Sequence, residues 1–160
     1  DGILLANLYL ENRQIVDLED ISPHLLNAVV AVEDERFYQH KGVDFIGLIR
    51  AVITNATTGR REGASTLTQQ FIRNTILADE RFEISLKRKA REAYLALELE
   101  RQHSKDEILA MYLNTVYYGE GAYGAEAAAL TFFNKHASEL TIAEAALLAG
   151  LPQAPSRLTP

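Results

Sequence analysis

The 160-residue chain contains no cysteine, so disulfides, thiolate metal sites and cysteine nucleophiles are excluded. It has no excess of positive charge either: 16 Lys and Arg stand against 22 Asp and Glu, a net charge of −6. Non-specific nucleic-acid binding relies on a basic face, so no nucleic-acid partner is expected. No apolar run approaches the roughly 18 residues of a membrane span, and no signal peptide opens the sequence. That fits a soluble protein or one whose anchor lies outside these residues. No fixed-period repeat or low-complexity tract is visible, which argues against a solenoid. What is present, 48% hydrophobic and 24% charged residues, is ordinary for one globular domain. A chain of this size buries roughly 70% of its unfolded surface, enough for a core of its own. The cations Arg81, Lys87, Arg88, Lys89 and Arg91 cluster in sequence, which leaves room for an anion site inside an acidic protein.

The start and stop signals are mostly helical. The stretch up to Ile21 alternates briefly and predicts a small strand or two. Ser22 before Pro23 reads as a cap with proline at the first helical position, and Leu25, Leu26, Val29 and Val30 share one face as far as Glu33. A second helix follows Asp44 and ends by Gly59. Thr66 and Gln69 have capping-box spacing, as do Ser104 with Glu107 and Thr141 with Glu144. A longer helix is expected from Phe82 to Gln102, and Gly150 with Pro152 closes the last one. The expected fold class is mainly α with little sheet.

Four segments could carry chemistry. In "EDERFYQHKG", Glu33 to Gly42, two acids end an apolar helix, where the helix dipole disfavours negative charge. They suit a solvated helix end equally well as a carboxylate held against Phe37 and Val32, whose raised pKa would fit a general base. "GASTLTQQ", Gly63 to Gln70, is a turn with a capping box, and its hydroxyls and amides at a helix N-terminus also suit an anion or a sugar. In "RKAREAYLALELE", Lys89 and Glu92 are helical neighbours at the edge of an apolar stripe, on their own an ordinary helix ion pair. "KDEILAMYLNTVYYGEGAYG" ends in G-x-G-x-x-G, but those glycines follow a helix and not a strand, so a chain-reversing loop fits better than a dinucleotide site. No histidine pair has metal-site spacing, and there is no G-x-S-x-G elbow.

Together and in this order, the four segments resemble the motifs of the peptidoglycan glycosyltransferases, glycosyltransferase family 51, found in class A penicillin-binding proteins and monofunctional transglycosylases. The closing "LTIAEAALLAGLPQAPSRLTP" is similar to the family as well. The resemblance implies a single lysozyme-like helical domain over residues 1–160. Within it, residues 43–76 would contribute to a small membrane-facing jaw, with Phe45, Ile46, Ile49 and Ile53 compatible with lipid contact or with core packing. It places the family's N-terminal membrane anchor and the C-terminal end of its domain outside this sequence. Two departures stand out: Arg73 where lysine is common, and Asn134 where glycine is usual, a position asparagine can still fill in the left-handed region.

The resemblance further implies the outer face of the bacterial cytoplasmic membrane as the place of action. Its substrate would be lipid II, a disaccharide-pentapeptide on a polyprenyl pyrophosphate, with the growing glycan strand as partner. The 4-hydroxyl of an acceptor N-acetylglucosamine would attack C1 of a donor N-acetylmuramoyl residue with inversion, giving a β-1,4 bond. Glu33 matches the family's base and Glu92 its second acidic position, which would orient cations. Arg73, Arg81 and Lys89 would face the diphosphate, and Arg88 is an expected binding residue beside them. Asp34, Phe37, His40, Gly63, Ser65, Thr66, Gln69, Gln70 and Asn74 complete the expected binding residues. No cofactor is obligatory, and the resemblance leaves a divalent cation, Mg or Mn, open at Glu92. A moenomycin-type inhibitor would share the cleft. Two rivals remain: a glycan-cleaving enzyme of lysozyme type, which needs a carboxylate pair but no diphosphate-binding cations, and a silent domain that binds without turnover.

Overall fold

The computed structural model describes residues 12–59, 63–83 and 85–153. The local signals set where the helices begin. Helix α1 (Pro23–Glu33) opens on Ser22, whose Oγ accepts the His24 N–H and itself donates to the Leu140 carbonyl at 2.9 Å. Helix α2 (Phe45–Thr58) ends on Gly59 at φ +66°, a left-handed stop. Helices α3 (Leu67–Asn74), α5 (Lys105–Leu113) and α7 (Ile142–Gly150) each open on the expected reciprocal capping box. Helix α4 (Leu86–Gln102) starts later than the sequence predicts. Ser85 takes the Arg88 N–H on its hydroxyl and fixes the start there, while Ala78–Glu80 form a separate 3-10 turn.

Strand is scarce, as expected. Among the described residues of the N-terminal stretch only β1 (Asn12–Arg13) is a strand, and Leu18–Asp20 is a 3-10 turn. The glycine-rich run is a hairpin of β2 (Tyr117–Gly119) and β3 (Ala122–Tyr123), not an irregular loop. Its two turn residues, Glu120 and Gly121, both have positive φ, the twist a two-residue hairpin turn requires. Strand order is β1-β3-β2, parallel then antiparallel, with an irregular register between Tyr117 and Gly119. Helix α6 (Ala125–Phe133) follows and stops on Asn134 at φ 53°, ψ 41°, so asparagine does take the left-handed turn.

The core gathers Leu25 and Val29 of α1, Ile108, Leu109, Tyr112 and Leu113 of α5, the alanines of α6, and Ala145, Leu148 and Ala149 of α7, all buried. Each large apolar side chain among them contributes on the order of 1.5–3 kcal/mol through burial. The small side chains of α6 allow neighbouring backbones to come close. Asn114 ties the N-terminal segment to this core: its amide accepts the Val16 N–H at 3.0 Å and donates to the Val16 carbonyl at 2.9 Å. Helix α2 is the exception. Only Gly47 and Ala51 are buried, whereas Phe45, Ile46, Ile49, Val52 and Ile53 stand out from the surface. Phe82, after the 3-10 turn, and Leu86, at the start of α4, are also exposed, at 82% and 90%, whereas α3 is packed into the core.

One cap carries a pH signature. Glu144 accepts from Lys135 Nζ at 2.7 Å and from Thr141 through its N–H and hydroxyl, at 2.9 and 2.8 Å. The Lys135 bond first, then the Thr141 bonds, lower its pKa to about 2 from the usual 4.5. The folded value lies below the unfolded one, so this contribution is complete above 4.5 and disappears as pH falls toward 2. Glu144→Gln is therefore expected to lower the melting temperature at pH 7 and to match the native chain near pH 2. An equal gap at both pH values would contradict this role for the cap.

Candidate active site

Helix α1 delivers Glu33 to the wall of a cleft of about 630 Å³. The chain then leaves the helix at Asp34, whose carboxylate accepts the Leu67 N–H at 3.0 Å and His40 Nε2 at 2.9 Å. One acid thus clamps the end of α1 to the positive N-terminus of α3, a place that favours a carboxylate. Asp34→Ala is expected to cost about 3 kcal/mol in urea unfolding, since each orphaned buried donor costs roughly 1–3 kcal/mol. A loss under about 1 kcal/mol, the low end of that range, would remove Asp34 from this role. Phe37 is fully buried, edge-on to His40, with Lys105 Nζ 4.4 Å above its ring.

The α3 side of the cleft supplies Gln70, whose Nε2 donates to Glu33 Oε2 at 2.8 Å. Glu33 Oε1 is buried without a hydrogen bond. The immediate partner of Glu33 is therefore an amide, and Val32, expected as an apolar wall, is 47% exposed. Tyr112 Oη in turn donates to Gln70 Oε1 at 3.4 Å. Burial, with the Glu33 charge added to it, pushes the Tyr112 and Tyr118 hydroxyls up and keeps them protonated.

A second set of charges lies on α4. Glu92 is fully buried, and its oxygens accept from Arg88 Nη1 at 2.6 Å and from Lys89 Nζ. Lys89 also donates to Ser65 Oγ at 2.9 Å, joining α4 to the cleft wall. The carboxylate is held at the cost of its own desolvation, with Arg88 largely and Lys89 only partly withdrawn from solvent, and removing one partner would be expensive. Behind this pair Glu100 accepts from Thr68 and from Lys105, whose Nζ lies 2.7 Å from its Oε2.

Of the expected residues, Glu33, Asp34, Gly63, Ser65, Thr66, Gln70 and Arg73 line the cleft. Lys89, Arg88 and Glu92 join it through Ser65. Phe37, His40 and Gln69 are buried behind the wall. Gln69 spends its carbonyl on the Thr66 N–H, and Thr66 Oγ1 donates to the Gly42 carbonyl at 2.7 Å. Arg81 is exposed over the Phe82 ring, and Asn74 is exposed at the end of α3. Neither lines the cleft. Arg36, Asp44 and Arg50 do, although no sequence signal singles them out. Burial works to raise the Asp44 carboxyl, but the Gly47 backbone N–H and then Arg36 outweigh it and hold it below the usual range.

A half-buried acid held by an amide, sharing its cleft with hydroxyls and cations, can deprotonate a hydroxyl and receive an anion. A transglycosylase family model matches residues 1–160. The chain is 44% identical to penicillin-binding protein 1A of Rickettsia felis over all of its length and 20% of that protein. It is 45% identical to penicillin-binding protein 1A of Aquifex aeolicus, covering 99% of the chain and 22% of that protein. It is 48% identical to penicillin-binding protein 2D of Bacillus subtilis, over all of the chain and 23% of that protein. The chain thus spans about a fifth of the length of the curated relatives it matches. A mainly helical chain matched from end to end by that model, with Glu33 lining its cleft, belongs to the transglycosylase family.

Proposed function

We propose that the chain is a peptidoglycan glycosyltransferase domain that joins one lipid-linked disaccharide to another, with Glu33 as the base. The observation that carries this is Glu33 on the cleft wall, one oxygen already held by Gln70, in the same cavity as Ser65 and Arg73. The acceptor 4-hydroxyl gives its proton to Glu33 as its oxygen bonds to donor C1. The bond from C1 to the diphosphate breaks on the opposite side, and the electron pair leaves with the polyprenyl pyrophosphate. Inversion yields the β-1,4 link. Positive groups placed in advance for the departing charge commonly lower such a barrier more than any other contribution. Arg73 at the wall and Lys89 through Ser65 are the best placed for it, with Arg88 held by Glu92 alongside. Arg81, exposed and outside the wall, would act only on the longer part of the substrate.

The residues near Glu92 do not suit a divalent cation. Both carboxylate oxygens are occupied by Arg88 and Lys89, and among the described residues no three acidic or histidine side chains converge. No step of the proposed reaction is routed through a metal. The exposed apolar side chains of α2 support a membrane-facing jaw over residues 43–76. No helix among the described residues is long and apolar enough to cross a membrane. A surface of this kind fits work at the outer face of the cytoplasmic membrane, where lipid II and the growing strand are held. A moenomycin-type inhibitor should bind the same cleft and raise the melting temperature with concentration.

The test is to supply labelled lipid II in detergent, and separately finished glycan. Polymer with release of polyprenyl pyrophosphate is expected from the first and no cleavage of the second. Glycan cleavage without polymer would assign the cleft to a hydrolase instead.

A further inference from the structure

Behind Gln70 lies a buried tyrosine that the proposed reaction does not use. Glu33 can only accept while ionised, so it takes the N–H end of the Gln70 amide. Once Glu33 holds a proton it could also donate, and a half-turn of the amide would offer it the carbonyl oxygen. That turn would favour the protonated acid and weaken the base. Tyr112 opposes it. The Tyr112 residue is 1% exposed, and its hydroxyl donates to Gln70 Oε1, the atom that would have to leave. Donation to the carbonyl also polarises the amide and strengthens its N–H toward Glu33.

We infer that Tyr112 is a positioning residue that, through Gln70, keeps an amide N–H on Glu33 and so favours the ionised base. The inference rests on Glu33 being the base. The other charged groups lining the cleft with Glu33 are Asp34, Glu35, Arg50 and Arg73 and the Arg36–Asp44 ion pair, and the titratable group on its buried side is the neutral Tyr118 hydroxyl. Tyr112→Phe leaves all of these in place.

The test reads Glu33 in the free protein by titrating its labelled side-chain carboxyl by NMR, and reads the acid limb of the polymerisation rate alongside. Tyr112→Phe is expected to move both upward by about half to one pH unit, a roughly three- to tenfold weaker acid, the size of the one neutral hydrogen bond lost from the Gln70 carbonyl. In a Gln70→Ala background, Tyr112→Phe should move neither. Gln70→Ala alone should raise the carboxyl at least as far, which keeps the prediction open if the tyrosine variant does not fold. An unmoved carboxyl in Tyr112→Phe, or an equal shift with and without Gln70, overturns the inference. A shifted carboxyl with a rate indifferent to Glu33→Gln upholds the Tyr112 relay and overturns only the assignment of Glu33 as base.

Discussion

Glu33→Gln is expected to lower polymerisation of lipid II by roughly 100- to 10,000-fold, the range a positioned general base contributes, while the protein keeps its fold. The substitution preserves shape, and its amide oxygen can still accept from Gln70 Nε2 with the Gln70 amide left as it is. What it removes is the capacity to take the acceptor proton. Glu33 lies on the cleft, and its hydrogen-bond partner is a neutral amide, so the melting temperature should change little beside the loss in rate. A matched fall in melting temperature and activity would mean a structural role, and a rate within a few-fold of native would remove Glu33 from the chemistry. Asp34, its neighbour, gives the opposite pattern. Its carboxylate is committed to Leu67 and His40, so its loss should appear first in stability.

Gly42→Ala should be among the most destabilising single methyl additions in the chain. The glycine has φ +85°, and a Cβ there would lie 2.7 Å from the Ala96 carbonyl carbon and oxygen and 2.9 Å from the Leu97 nitrogen. These are backbone atoms of α4 and cannot rotate aside. Backbone strain of about 1–3 kcal/mol joins an overpacking cost of about 1–3 kcal/mol. We expect about 3–5 kcal/mol in all, or about 10 °C in melting temperature for a chain of this length. Activity should fall too, because the Gly42 carbonyl receives Thr66 and α4 carries Lys89 and Glu92. Gly121→Ala is the control: its φ is +74° but its Cβ would meet nothing within 4 Å. Only the strain remains there, roughly 1 kcal/mol. Equal losses at the two positions would show that contact with α4 is not the cause.

Much of the helical frame is readable from the sequence because capping is local. Thr66 with Gln69 and Thr141 with Glu144 satisfy each other across three residues, and those helices begin where the pairs say. Helix α4 starts later than its apolar pattern suggests because Phe82 and Leu86 share the character of a helix face, while the cap that decides is Ser85. Helix α6 gives little periodic signal, since its alanines carry no contrast between faces, and its hairpin neighbour has only two- and three-residue strands. In the site, Lys89 with Glu92 is visible as an i, i+3 pair. The Ser65 bond to Lys89 spans 24 residues and depends on how α4 meets the turn before α3. Helical periodicity puts Glu92 at the edge of an apolar stripe, whereas packing buries it fully. Tyr112 carries a faint signal of its own. A tyrosine inside the buried stripe Ile108, Leu109, Leu113 must find a partner for its hydroxyl, and that partner, Gln70, is 42 residues away.

The stereochemistry of the new glycosidic bond tests the central claim most directly. If Glu33 acts as a base for the acceptor hydroxyl, lipid II turned over by the native chain gives only β-linked product, read as the anomeric coupling by NMR. An α-linked product would mean net retention, as in a double displacement with a carboxylate as nucleophile, and would contradict in-line attack assisted by Glu33 as the base.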